Sequence, residues 1–229
     1  MRYIVKCCAP IELLRWKKLN PQAGFAEMPS ELKCCVRWSL MKEQGFLCAY
    51  TMKRITETTC HIEHFHPQSA YPQEVMEYAN LLACWPGPGE MSAAMDQTLG
   101  YGAAYKRDET TEICSPNCSS EVVGQFLFDL HGGIKGLSQK AQDTIRVLHL
   151  DAERLRAERR AALLGAFKIA GRRTNFPGLS AQAARRRIES LHQPDAEGRL
   201  EPFCLVLEQC LERFAANAEG RAQRMRNQH

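Results

Sequence analysis

The spacing of apolar positions changes period along the chain, and each change marks a different kind of element. After Ser30, residues Leu32, Cys35, Val36, Ser39 and Leu40 keep the i, i+3, i+4 spacing of one buried helical face, and Gly45 offers a C-terminal stop. This predicts a helix over 31–44 with Ser30 as its N-cap. From Phe46 to Ser69 the texture shifts to short β-branched and aromatic runs, Phe46-Leu47-Cys48-Ala49-Tyr50 and Thr58-Thr59-Cys60-His61-Ile62-Glu63-His64-Phe65, which predict two short strands around a polar turn.

Residues 86–105 gather Pro86, Gly87, Pro88, Gly89, Gly100 and Gly102, too many breakers for a regular element, and predict a loop or insertion. Phe126-Leu127-Phe128-Asp129-Leu130 reads as a strand entering a turn at Gly132-Gly133, and from about Ala141 the period is helical. Asp151 is expected to cap a helix with Leu155, Leu163, Ala166, Phe167 and Ala170 inside and Gly171 at its end, and Ser180 to cap another. Pro202 suits a first helical position, and Phe203, Val206, Leu207, Cys210, Leu211 and Phe214 form a continuous apolar stripe. There is no internal repeat. The expected class is α+β: an N-terminal helix, a mixed centre and a C-terminal helical region, divided into 1–140 and 141–229.

Composition narrows the class. A chain of 229 residues that is 45% hydrophobic can bury a core, which excludes disorder as its main state. No run approaches the roughly 20 apolar residues of a membrane span, and Met1-Arg2-Tyr3-Ile4-Val5-Lys6 lacks the apolar run of a signal peptide, so no membrane role and a cytoplasmic location are expected. Eleven cysteines in such a chain point to reduced thiols, some as candidate metal ligands, rather than to a disulfide framework. The net charge of +4 hides an asymmetry: residues 1–145 carry 14 basic and 16 acidic side chains, residues 146–229 carry 16 and 10. Fifteen of those sixteen are arginines, whose planar fork suits phosphate or carboxylate. A nucleic acid, an acidic protein and a plain solvated helix surface all fit that pattern.

The densest chemistry lies between Cys60 and His66, where three of the chain's seven histidines stand with Glu63. On a strand, His61, Glu63 and Phe65 share one face while Ile62 and His64 share the other. A carboxylate beside an imidazole is what metal-assisted phosphodiester hydrolysis requires: the carboxylate holds a hard divalent cation, and neutral imidazole takes a proton from water. No Gly-x-x-x-x-Gly-Lys-Ser/Thr phosphate loop occurs, so nucleotide-dependent control would have to come from another chain.

Gln44-Gly45-Phe46-Leu47-Cys48-Ala49-Tyr50, His61-Ile62-Glu63-His64-Phe65-His66-Pro67-Gln68-Ser69 and Tyr78-Ala79-Asn80-Leu81-Leu82-Ala83-Cys84 together resemble an HNH (ββα-metal) nuclease. More narrowly they are similar to the nuclease-subunit family of Septu anti-phage systems, PtuB, including its retron-associated members. Met1–Lys6, Phe126–Gly132 and Thr144–Leu150 are similar to that family's flanking segments, so the likeness covers roughly residues 1–165. It implies an endonuclease with His64 as general base, Glu63 as ligand of Mg²⁺ or Mn²⁺, and Asn80 bracing the loop that carries the base. His61 would contact the metal or the scissile phosphate, and Lys106 a phosphate. Glu90, Asp96 and Asp108 are candidates for a third metal ligand, alongside water. It also implies an SMC/ABC-type ATPase partner (PtuA), in retron versions a reverse transcriptase with its RNA–DNA hybrid, and a DNA or tRNA target.

Departures from the family bear on its structural zinc. Many relatives carry two Cys pairs, whereas this chain reads Cys48-Ala49-Tyr50-Thr51 and keeps Cys84 as the remnant of the second pair. Cys48 and Cys84 are thus the candidate structural-zinc residues of an incomplete set, with Cys60, Cys114 and Cys118 available to a different one. A rival reading keeps the HNH fold without strong catalysis, as an assembly or nucleic-acid-binding subunit of the same complex. The tail, with the stripe Phe203–Phe214 and Arg172, Arg173 and Arg185–Arg187, is expected to dock on the partner or guide substrate.

Overall fold

The structure is a computed structural model that describes residues 1–90, 100–167 and 179–226. Its class is α+β, with eight α-helices and two small antiparallel sheets among the described residues. In chain order these are α1 (Ile11–Leu19), α2 (Ser30–Glu43), β1 (His61–His64), β2 (Leu81–Cys84), α3 (Ala103–Lys106), α4 (Ser119–Val122), β3 (Phe126–Phe128), β4 (Ile134–Gly136), α5 (Gln139–Val147), α6 (Glu153–Ala166), α7 (Ala181–Leu191) and α8 (Cys204–Arg226).

The face predicted for α2 is the one buried: Leu32, Val36 and Leu40 are inside, with Met41 beside them. Ser30 is the first helical residue and makes no cap; Pro29 precedes it, and its fixed φ starts the helix instead. Gly45 ends the segment at φ +63°, where a side chain would collide with Leu200. The Gln44 side chain then ties this corner to β2, its Nε2 donating to the Leu47 and Ala83 carbonyls and its Oε1 accepting from Ala83 N, all at 2.8 Å.

Of the two strands expected between Phe46 and Ser69, only the second forms. Phe46–Tyr50 makes a tight turn with a single bridge, Leu47 to Arg54, because Cys48 and Met52 close a local turn (Met52 N to Cys48 O, 2.9 Å). β1 pairs instead with β2, in the register His61–Cys84, Ile62–Ala83, Glu63–Leu82 and His64–Leu81. β2 is buried at all four positions, so this small sheet is a core element.

The strand expected from Phe126 forms and turns at the glycines, and it pairs with a second strand that was not expected, with Phe126 opposite Gly136 and Phe128 opposite Ile134. Gly132 turns it at φ +81°, and a Cβ there would lie 2.2 Å from the Arg156 carbonyl, so the turn packs directly on α6. Asp151 does not cap α6. Its carboxylate accepts from Ile134 N and from the Arg156 guanidinium, fastening the hairpin to the helix. The described part of α6 ends at Ala166, and the expected stop at Gly171 lies outside the described residues. Ser180 caps α7 as predicted, accepting from Ala183 N at 3.1 Å.

The apolar stripe of α8 is spent on this chain's own core. Val206, Leu207 and Leu211 are essentially inaccessible and belong to one hydrophobic cluster with residues of α2, β2 and α6. Gln209 completes the free edge of β3, accepting from Phe128 N and donating to Phe126 O, and Arg213 donates to Phe128 O. Phe203 N bonds Met52 O and Leu200 N bonds Gly45 O, so the tail reaches the turn beside the first sheet. The stripe is thus used within the chain: a two-stranded sheet has an open edge and an apolar face to cover, and α8 covers both. Arg185 and Arg187 pair with Glu219 and Glu201; Arg172 and Arg173 lie outside the described residues. No helix among the described residues is long and apolar enough to cross a membrane.

Candidate active site

β1 alternates as its sequence suggests, and the alternation separates two kinds of chemistry. On one face Glu63 and His61 stand side by side, with 3.6 Å between Glu63 Oε2 and His61 Nε2. The other carboxylate oxygen accepts from Lys106 Nζ at 3.0 Å and from the buried Tyr50 hydroxyl at 3.5 Å. His61 Nδ1 lies 2.6 Å from the Pro86 carbonyl, which fixes the proton on that nitrogen. A neutral His61 therefore turns a lone pair toward a carboxylate, and only a proton or a cation between the two removes the repulsion. Burial alone would lower the His61 pKa, but the Glu63 carboxylate and the Pro86 carbonyl outweigh it and raise it above the ordinary value.

On the opposite face His64 is nearly inaccessible at 6%, its ring edge-on to Phe25 at 4.7 Å. Its Nε2 lies 3.0 Å from the Val75 carbonyl. With the proton held there, Nδ1 is the basic nitrogen. Burial lowers the His64 pKa, only partly countered by the Val75 carbonyl and Glu63, while Lys106 and His61 push the same way as burial. The imidazole is therefore neutral near pH 7, the form that can accept a proton.

Asn80 sits just before β2 and is almost fully buried. Its Oδ1 accepts from His66 N at 2.7 Å, and its Nδ2 donates to the His66 and Glu74 carbonyls at 3.2 and 3.3 Å. One carboxamide thus closes the loop from β1 to β2, the bracing role the resemblance implies. Lys106 is not an open phosphate contact as it stands. It is 4% exposed, and its ammonium is shared between Glu63 and the His64 carbonyl at 3.2 Å. Of the remaining acidic candidates, Asp108 is exposed after α3, the Glu90 side chain is not among those described, and Asp96 lies outside the described residues.

Cys48 and Cys84 are brought together, both wholly buried, across the turn and β2. Burial would raise the Cys48 pKa, but hydrogen bonds from the Cys84 thiol, the Thr51 hydroxyl and backbone, and Trp85 N (3.3 Å) bring it down to about 6; Cys84 is pushed well above its ordinary value by burial and by Cys48. Thr51 supplies a hydroxyl donor to that sulfur. Cys114 and Cys118 have other partners, Thr144 and Ser120. Among the described residues no three His, Cys, Asp or Glu side chains converge as a ready metal site.

Sequence reading missed one pair. His66 Nδ1 meets Glu74 Oε2 at 2.6 Å, and the ring stacks on Tyr71 at 4.7 Å. Only the crowding of histidines hinted at it, because both partners lie in a loop without periodicity. His66, Glu74, Asn80 and Lys106 line one cleft of about 600 Å³.

No protein-family model matches the chain, and a comparison with curated proteins yields no significant match.

Proposed function

We propose that this chain is a metal-dependent HNH endonuclease that hydrolyses nucleic-acid phosphodiester bonds as the toxic effector of an anti-phage complex. The observation that carries the reading is the division of labour on β1: a carboxylate and an imidazole paired on one face, and a neutral imidazole of fixed tautomer adjacent to them. Supporting it, β1, β2 and α3 follow one another in the order β, β, α, and the carboxylate of the first meets the lysine of the last.

The donor types fit a divalent cation. Glu63 Oε2 and His61 Nε2 would hold Mg²⁺ or Mn²⁺, ions that accept carboxylate and retain several waters, and the repulsion between those two atoms is what a cation would relieve. Bound there, the ion would supply Lewis-acid polarisation of a phosphate oxygen. The chain's own residues do the rest. His64 accepts the proton of the attacking water at Nδ1 while Val75 keeps the Nε2 proton in place. Asn80 holds the loop so that the base does not drift. Lys106, already on Glu63, balances charge when phosphate enters and reaches it only by loosening that pair.

By the resemblance, the partners are an SMC/ABC-type ATPase (PtuA) and, in retron versions, a reverse transcriptase with an RNA–DNA hybrid that restrains the complex; the target is DNA or tRNA, in the cytoplasm. A second reading, a catalytically weak assembly or nucleic-acid-binding subunit, draws on one observation: the Lys106 ammonium occupies the Glu63 oxygen that a metal would otherwise share. The test is cleavage of DNA and of tRNA by the full chain, alone and with its ATPase, with Mg²⁺ or Mn²⁺ and after verified chelation. Cleavage that needs the metal supports the first reading. Cleavage that persists in chelator removes it.

A further inference from the structure

Two imidazoles flank the loop that Asn80 closes, and His66 is the more exposed of the two. His64 is enclosed by Phe25 and bonded to Val75, whereas the His66 side chain is 43% exposed on the wall of the 600 Å³ cleft. The His66 ring lies between Phe65 (4.9 Å) and Tyr71 (4.7 Å), which fixes its plane. Glu74 Oε2 holds Nδ1 at 2.6 Å, and among the described residues Nε2 has no hydrogen-bond partner. A carboxylate on one ring nitrogen with the other turned to a cleft is the arrangement of a proton-transfer histidine.

The support behind this pair is unusually specific. Asn80 bonds both main-chain groups of His66 and the carbonyl of Glu74, so one buried side chain sets the relative position of the two. Glu77 and Glu121, which also line the cleft, are paired with Lys17 and Lys140 instead.

We propose that His66 is a second catalytic residue, the proton donor to the leaving sugar oxygen, and that Glu74 is its positioning residue. The role rests on the hydrolytic reading above. In the step, the water oxygen forms the new bond to phosphorus and its proton passes to the base. The bond from phosphorus to the sugar oxygen breaks with its electron pair going to that oxygen, which takes the proton from His66 Nε2. Glu74 keeps the Nδ1 proton throughout, and His66 is reprotonated from solvent.

A leaving group that needs no proton separates this role from a structural one. The full chain, with its ATPase and Mn²⁺, is assayed on an unmodified oligonucleotide and on bis(4-nitrophenyl) phosphate, whose nitrophenolate departs as the anion. His66→Gln should lose roughly 10²- to 10⁴-fold in kcat on the oligonucleotide but less than about threefold on the nitrophenyl ester. Glu74→Gln, which leaves the imidazole in place, should show a smaller loss with the same bias. Equal losses on both substrates, or none on the oligonucleotide, overturn the role of His66 while leaving the nuclease reading intact. A wild-type complex silent on both overturns the nuclease reading and this role together.

Discussion

The two small sheets are built alike and used differently. Each is a two-stranded antiparallel ribbon with a buried cation beside it, Lys106 at β1–β2 and Arg159 at β3–β4, and both side chains are only 2% exposed. Arg159 gives its bonds to neutral backbone, the Gly132 carbonyl at 2.6 Å and the Leu150 carbonyl at 2.8 Å, with Asp151 at 3.8 Å behind. Lys106 leans on Glu63, which in turn faces His61. A buried charge bonded to carbonyls is a fastener, even with Arg159 Nη2 left without a hydrogen bond. Lys106 is held instead by a carboxylate that itself faces an imidazole, with a neutral imidazole on the other face of β1. Burial of charge does not distinguish the two regions; the identity of the partner does.

The largest test of that contrast is His64. His64→Gln should reduce cleavage roughly 10²- to 10⁴-fold, read as kcat on oligonucleotide, whereas Arg159→Met should leave kcat of the folded protein unchanged. The Gln variant is preferable to Ala because His64 is packed on Phe25, so truncation would mix a packing loss with the chemical one. An active, folded His64→Gln protein would falsify the assignment of the base.

Removing the tail separates the regions from the other side. Ending the chain before Cys204 should yield no cooperatively folding product, since it uncovers the β3 edge and the core that Val206, Leu207 and Leu211 fill. A soluble fragment with a sharp thermal transition would show that the first sheet folds alone. In stability rather than activity, Arg159→Met should cost about 3 kcal/mol, because it strands two buried carbonyls. Urea titration reads this directly, and a loss below about 1 kcal/mol would count against the fastener role.

The smallest expected effect is a pH dependence in the second region. Burial would raise the Asp151 pKa, but the Arg156 hydrogen bond, Ile134 N–H and Arg159 outweigh it and hold it below the ordinary value. A depressed carboxyl stabilises the fold above its unfolded pKa, and that contribution fades as pH falls through the lower, folded value. Asp151→Asn should therefore cost about 1 kcal/mol near pH 7, and the gap from wild type should close toward pH 3. A gap that stays constant over that interval would dissociate Asp151 from the ion pair.

How far the site was legible follows from the range of its interactions. Alternation along His61-Ile62-Glu63-His64 sorted the side chains onto two faces, whereas spacing said nothing of Asn80, whose bracing role was only what the resemblance implied. His66 with Glu74 was not legible: the partners are eight residues apart in a loop, and nothing in a loop's spacing says which carboxylate comes within 2.6 Å of which ring. Lys106 meeting Glu63 spans 43 positions and is likewise silent in the sequence.

What the sequence by itself determined is whatever depends on neighbours within a turn or two: the buried face of α2, the Ser180 cap, the strand from Phe126 with the glycine turn after it, and the stripe of α8. Periodicity and capping act through residues three or four apart, so the pattern itself carries them. Tertiary structure alone decided that β1 pairs with Leu81–Cys84 rather than with Phe46–Tyr50, that Asp151 fastens a hairpin instead of capping a helix, and that the α8 stripe closes this chain's own core. Those outcomes are competitions among distant surfaces for the same apolar area and the same unpaired backbone groups, and a local pattern says what a segment can bury without saying against what.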